Sequence, residues 1–134
     1  MRGKIKCPVC RETLELKEGA LAADRVVCTA CGSQLELKDR GSQLEAKRWP
    51  QPPEEEIRGR IDTFARLKGL EVSDRKERII AGLIKKFENF GDFYCPCRLE
   101  NNADNVCPCK ETRENLLTRE KCCHCGLFCK AELP

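Results

Sequence analysis

The chain has 134 residues, of which 35% are charged and 5% are aromatic, and its formal net charge is +3. A chain of this length forms one domain or two small ones, and so few aromatic residues exclude a large apolar core. Basic and acidic residues are interleaved, so no concentrated basic face indicates nucleic-acid binding. Small domains of this composition usually need cross-links, and the 12 cysteines can supply them.

The cysteines form two groups, four at Cys7–Cys31 and eight at Cys95–Cys129. The sequence starts without a signal-peptide pattern and contains no run long enough to cross a bilayer, which favours a cytoplasmic protein with no membrane partner. In that compartment, clustered cysteines are more often metal ligands or redox catalysts than structural disulfides. The gap between the groups predicts a metal module over residues 1–49, a Pro-rich linker over 50–53 and a second domain over 54–134.

The first module contains two Cys-x-x-Cys pairs, Cys7/Cys10 and Cys28/Cys31. Two intervening residues allow a tight turn to direct both sulfurs of a pair at one ion, and the separation of the pairs fits a four-thiolate site. Alternating apolar residues around the pairs predict short strands. The module resembles a zinc ribbon. A rubredoxin-like iron site uses similar pairs, but the absence of aromatic residues before Trp49 favours zinc over iron.

Two helices are predicted after the linker. The acidic run at residues 54–56 suits the start of a helix, and the apolar residues that follow at helical spacing end near Gly69. A second apolar stripe begins after a predicted cap and ends at Gly91. We expect these helices to form a hairpin that packs against the second cysteine group, with Phe87 and Phe90 in the core.

The second group contains three Cys-x-Cys pairs, which are Cys95/Cys97, Cys107/Cys109 and Cys123/Cys125. Six thiols are more than one tetrahedral ion can bind. Both sulfurs of a pair with this spacing reach one small ion only with difficulty. The natural use of such a pair is therefore to direct one sulfur at a metal centre and the other elsewhere. The pairs predict a set of metal ligands together with a separate set of thiols.

The ordered motifs Tyr-Cys-Pro-Cys-Arg, Cys-Pro-Cys and Cys-His-Cys-Gly resemble the catalytic subunit of ferredoxin:thioredoxin reductase over about residues 54–130. That family holds a [4Fe–4S] cluster beside a redox-active disulfide, accepts electrons from ferredoxin and reduces thioredoxin. The resemblance implies a ferredoxin-dependent disulfide reductase whose substrate is thioredoxin or a glutaredoxin-like protein. It also implies a fold in which a short-stranded metal ribbon precedes a mainly α-helical iron–sulfur domain.

By position, the resemblance divides the six paired thiols into four cluster ligands and one active disulfide. The implied ligands are Cys95, Cys107, Cys109 and Cys123. Cys97 becomes the exposed nucleophile, and Cys125 becomes its disulfide partner beside the cluster. His124 stands between a ligand and a thiol, where it can exchange protons near neutral pH. A low pKa would favour attack by Cys97, and Arg98 is the nearest cation in sequence that could lower it.

The residues leave several alternatives open. Cys122 makes the last motif Cys-Cys-His-Cys, so either Cys122 or Cys123 holds iron, and Cys129 has no role beyond that of a spare buried thiol. A zinc-binding adaptor is one rival function, although Cys-x-Cys spacing fits zinc knuckles poorly. A [4Fe–4S] electron carrier without disulfide chemistry is the other, and it leaves two cysteines without a role.

Overall fold

The structure, a computed structural model, describes residues 4–16, 19–41, 43–119, 122–123 and 126–130. Within these ranges the chain forms seven short strands and three α-helices. The strands belong to three small antiparallel sheets. No helix in the described ranges combines the length and the apolar character that crossing a membrane requires.

The ribbon consists of two sheets, each containing a hairpin with a Cys-x-x-Cys turn. In the first sheet, β1 (Lys4–Lys6) pairs with β2 (Thr13–Glu15). In the second, β3 (Arg25–Val27), β4 (Gln34–Arg40) and β5 (Gln43–Arg48) lie side by side in that order. Because each cysteine pair lies in the turn between two paired strands, the backbone brings the four cysteines towards one another.

The second part of the chain combines helices with one more strand pair. The elements, in chain order, are α1 (Pro53–Lys68), β6 (Leu70–Val72), α2 (Lys76–Phe90), α3 (Lys110–Arg119) and β7 (Phe128–Lys130). Three glutamates lie in the first turn of α1, where the helix dipole favours negative charge. Left-handed glycines end α1 and α2, as the sequence predicted.

The prediction of a mainly α-helical second domain is wrong. In its described residues, the chain between α2 and α3 is irregular apart from a 3-10 turn at Ala103–Asn105 and one isolated β-bridge between Tyr94 and Val106. β6 and β7 pair with each other, and Val72 lies opposite Phe128. Three-residue strands show too little alternation to be recognised in the sequence, and their partners are distant along the chain.

The helices cover one apolar cluster, whose buried members include Ile57, Ile61, Phe64, Ile80, Leu83, Phe93, Leu127 and Phe128. Phe87 packs against this cluster, and its ring stacks on Phe93 with 4.7 Å between the ring centroids. Phe90 is 55% exposed, so the prediction that it belongs to the core is wrong. It ends α2 beyond the covered face, with the ammonium group of Lys86 5.4 Å from its ring.

The core of the ribbon continues into the second part of the chain. Val106 is buried within the ribbon cluster, and Tyr94 packs against that cluster. These two residues form an isolated β-bridge with each other. The polypeptide that carries the first two Cys-x-Cys pairs therefore packs directly on the ribbon. The division into domains at residues 1–49 and 54–134 stays a prediction.

Candidate metal and redox site

Four cysteine sulfurs converge between the two turns of the ribbon. The Sγ atoms of Cys7 and Cys31 are 3.8 Å apart, and those of Cys10 and Cys28 are 3.6 Å apart. All four lie within 4.8 Å of one another. Sulfurs bound about 2.3 Å from a tetrahedral ion are separated by about 3.8 Å. The structure thus brings the four predicted ligands together with the dimensions of a tetrathiolate zinc site.

The two turns have the same backbone arrangement. The amide of Gly32 donates to the carbonyl of Cys28 at 2.7 Å, and the amide of Arg11 donates to the carbonyl of Cys7 at 2.9 Å. Both turns reverse in the left-handed region, at φ 84° for Gly32 and φ 66° for Arg11. Glycine adopts this conformation freely, whereas an L-residue such as arginine is strained there.

Replacing Arg11 with glycine should therefore stabilise the metal-loaded protein. Relief of the left-handed strain outweighs the greater freedom of glycine in the unfolded chain, and we expect the free energy of unfolding to rise by up to about 1 kcal/mol. Urea unfolding of the wild type and the variant measures this difference. Thr13→Gly, two residues later in β2, should instead lower the free energy of unfolding, and a similar loss for Arg11→Gly would contradict the assignment of strain.

Hydrogen bonds between the thiols of the tetrad shift their pKa values in opposite directions. Hydrogen bonding to Cys10 is the main cause that lowers the pKa of Cys7, to about 7. Hydrogen bonding to Cys28 is the main cause that raises the pKa of Cys10. Four thiolates this close repel one another unless a positive ion lies between them. The donor set therefore fits a divalent ion, and its binding contributes to folding of the ribbon.

A second set of cysteines lines one cavity in the C-terminal part of the chain, together with Pro108, Thr112 and Phe128. These cysteines are Cys95, Cys107, Cys109 and Cys123. All four are buried. Four buried thiols around one cavity are a donor set that suits an iron–sulfur cluster, in which each thiolate binds a different iron.

Backbone hydrogen bonds hold the first two Cys-x-Cys pairs side by side. The amide of Cys95 donates to the carbonyl of Asn105 at 2.7 Å, and the amide of Cys107 donates to the carbonyl of Phe93 at 2.9 Å. The two reciprocal bonds flank the Tyr94–Val106 bridge. This local pairing places one cysteine from each pair at the same cavity.

The other two cavity cysteines are held by contacts of their own. The Sγ of Cys109 lies 3.1 Å from the hydroxyl of Thr112, in the first turn of α3. The amide of Cys123 donates to the carbonyl of Phe128 at 2.8 Å. The amide of Phe128 in turn donates to the Sγ of Cys123 at 3.3 Å. These contacts fix the position of each sulfur at the cavity.

Two arginines lie against the middle pair. Burial raises the pKa of Cys107 well above its ordinary value, and Arg60 opposes that shift. Arg98 lies with its Nη2 3.9 Å from the Sγ of Cys109 and 3.3 Å from the carboxylate of Glu111. The sequence did not identify either contact, because each arginine is distant along the chain from the cysteine that it approaches.

Cys97 is exposed, whereas Cys95 in the same pair is buried at the cavity. A low pKa would favour attack by Cys97, but the surroundings of this thiol shift its pKa in the opposite direction. The protein atoms around its sulfur raise its pKa, and the charges of Cys95 and Cys123 raise it further. The cation that opposes this increase is Arg75, at the start of α2, and not Arg98.

Cys122 and Cys129 form a disulfide, with their Cα atoms 4.0 Å apart. The expectation of a spare thiol at Cys129 is therefore wrong. In this arrangement Cys122 is bonded to Cys129 while Cys123 lines the cavity. His124 and Cys125 lie outside the described residues. The expected Cys97–Cys125 disulfide and the expected role of His124 therefore stay predictions.

The tetrathiolate group in the ribbon and the second set of buried cysteines define a cysteine-rich metal-binding protein. Residues 61–134, more than half of the chain, match the ferredoxin thioredoxin reductase catalytic beta chain family, and the chain belongs to that family. Residues 5–51 are similar to the globular domain of the alpha-aminoadipate carrier protein LysW and its relatives, a zinc ribbon. Both resemblances inferred from the cysteine motifs are confirmed. A search of curated proteins found no match.

Proposed function

We propose that this protein is a ferredoxin-dependent disulfide reductase that acts on thioredoxin or a glutaredoxin-like protein in the cytoplasm. The observation that carries the proposal is the division of the first Cys-x-Cys pair. Cys95 is buried at a cavity lined by four cysteines, and Cys97 is exposed two residues later. A substrate protein can therefore reach a thiol that lies beside the electron source without reaching the metal ligands.

Four of the chain's thiolates would hold the metal group in this proposal, those of Cys95, Cys107, Cys109 and Cys123. A [4Fe–4S] cluster bound there supplies electrons one at a time from ferredoxin. Burial of these four residues keeps water away from the cavity. The ribbon tetrad would hold zinc, which is redox-inert, and its similarity to a zinc-ribbon family supports zinc over iron.

The thiol chemistry follows from exchange between sulfur atoms. The Cys97 thiolate attacks one sulfur of the substrate disulfide, forms a mixed disulfide and releases the other substrate sulfur as a thiolate. Cys125 then attacks the Cys97 sulfur, which forms the Cys97–Cys125 disulfide and releases the reduced substrate. His124 would move protons during these steps. Two electrons and two protons restore the dithiol for the next turnover.

The metal content of anaerobically purified protein tests the proposal most directly. We expect about four iron atoms and one zinc ion per chain, and broad absorption near about 400 nm. Reduced ferredoxin should then support reduction of a thioredoxin disulfide by the loaded protein. A colourless protein that contains only zinc would contradict the reductase and favour a zinc-binding adaptor. Iron without disulfide-reducing activity would favour an electron carrier.

A further inference from the structure

Two arginines hold consecutive carbonyl groups of the loop Cys107–Cys109, which supplies two of the cavity cysteines. The Nη1 of Arg60, from α1, donates to the carbonyl of Cys107 at 3.0 Å. The Nε of Arg113, from α3, donates to the carbonyl of Pro108 at 3.0 Å. The side chains of Arg60 and Arg113 are 0% and 5% exposed. Buried, charge-assisted hydrogen bonds of this kind fix backbone position strongly.

Acidic partners connect both arginines to the ribbon. The Nη1 of Arg113 lies 3.6 Å from the carboxylate of Glu12, which lies between the first metal turn and β2. The Nη2 of Arg60 donates to Glu56 at 2.7 Å. The same carboxylate oxygen of Glu56 lies 3.5 Å from the Nε of Arg48, the last residue of β5. Each side of the loop is therefore connected through ion pairs to the ribbon.

The second metal turn also rests directly on α1. A Cβ atom added to Gly32 would lie 2.7 Å from the amide nitrogen of Phe64 and 2.9 Å from the carbonyl oxygen of Arg60. No side chain fits between the two backbones. Val106, which precedes the loop, is itself buried in the ribbon core. The ribbon thus contacts α1, which carries Arg60. It also contacts Val106, the residue immediately before the loop.

We propose that the ribbon is a clamp that holds the loop Cys107–Cys109 in its ligand geometry, and that metal binding in the ribbon is coupled to cluster retention at the cavity. The inference rests on the proposed function only in assigning the loop's sulfurs to a cluster. A ribbon of this size depends on its ion for a defined shape. When that ion is lost, Glu12 no longer holds Arg113, and Arg48 no longer positions Glu56, the partner of Arg60. By linkage, cluster binding stabilises the ribbon to the same extent.

Two glycine substitutions distinguish the loss of the contact between the ribbon and α1 from the effect of backbone strain alone. Gly32 and Gly41 have φ values of 84° and 79°, so alanine pays the same left-handed penalty at both positions. Around Gly41 a Cβ atom meets nothing within 4 Å, whereas at Gly32 it meets α1. Gly32→Ala therefore separates the ribbon from α1, and Gly41→Ala is the matched control.

The experiment measures deuterium uptake by the backbone amides of residues 105–113 in the full-length protein. We expect exchange at the amides of Cys107 and Arg113 to rise about tenfold in Gly32→Ala and to stay unchanged in Gly41→Ala. Iron loss to a chelator, followed by absorbance, should accelerate in the same variant. Zinc content is determined in both preparations.

Unchanged exchange in Gly32→Ala, whether or not that variant retains zinc, would overturn the clamp, as would equal increases in the two variants. Removing zinc from the wild type tests the clamp independently, and it should also raise amide exchange in residues 105–113. If the anaerobic protein binds no iron, the proposed function fails. Deuterium uptake of the zinc-loaded protein still tests the clamp in that case.

Discussion

Replacing Cys97 with serine should abolish disulfide reduction while both metal centres stay loaded. Cys97 is exposed and is not among the residues that line the cavity, so it is not one of the proposed metal ligands. Serine preserves the shape of the side chain but removes the nucleophile, and we expect turnover to fall by roughly a thousandfold or more. Ferredoxin-dependent reduction of a thioredoxin disulfide, together with iron and zinc content, measures the effect.

Two other cysteines provide controls for that experiment. Cys95→Ser alters a buried cavity cysteine two residues away and should lose iron as well as activity. Cys129→Ser removes the Cys122–Cys129 disulfide and should retain most of the turnover. Full activity in Cys97→Ser would leave no role for this thiol in exchange. Loss of activity in Cys129→Ser with iron retained would mean that thiol–disulfide exchange takes place at the Cys122–Cys129 pair.

Local patterns in the sequence were sufficient to identify the cysteine tetrad of the ribbon. Two residues between paired cysteines form one tight turn, which directs both sulfurs at the same point. The spacing alone therefore predicted that Cys7 and Cys10 belong to one site. The helices α1 and α2 were predicted for the same reason, because their apolar stripes and terminal glycines are local signals.

The rest of the site depends on contacts between distant segments. Arg98 is next to Cys97 in sequence, yet its guanidinium lies against Cys109, and Arg75 is the cation that acts on Cys97. The distance along the chain from Arg60 to Cys107 left no local pattern to recognise. The mainly helical domain was predicted from the resemblance, and the β6–β7 pairing that contradicts it joins segments on either side of two helices.

The buried network around Arg60 connects α1 to the loop that carries Cys107. The Arg60 guanidinium donates to the carboxylate of Glu56 and to the carbonyl of Cys107, and lies 5.3 Å from the ring of Phe93. Arg60→Met retains the length of the side chain but leaves both acceptors without this donor. Glu56 is 13% exposed and keeps Arg48 3.5 Å away, whereas the buried carbonyl of Cys107 loses its donor, so we expect the free energy of unfolding to fall by about 2–3 kcal/mol.

Arg58→Met is the control for that substitution, because it makes the same chemical change two residues earlier on α1. Arg58 pairs with Glu54 and Glu77 at the surface, where water solvates the charges that remain after substitution. Urea unfolding of the zinc-loaded proteins should therefore show a far smaller loss for Arg58→Met. Equal losses in the free energy of unfolding would mean that Arg60 contributes no more to stability than the surface residue Arg58. A large loss confined to Arg60→Met would instead locate the stability in the connection between α1 and the loop that carries Cys107.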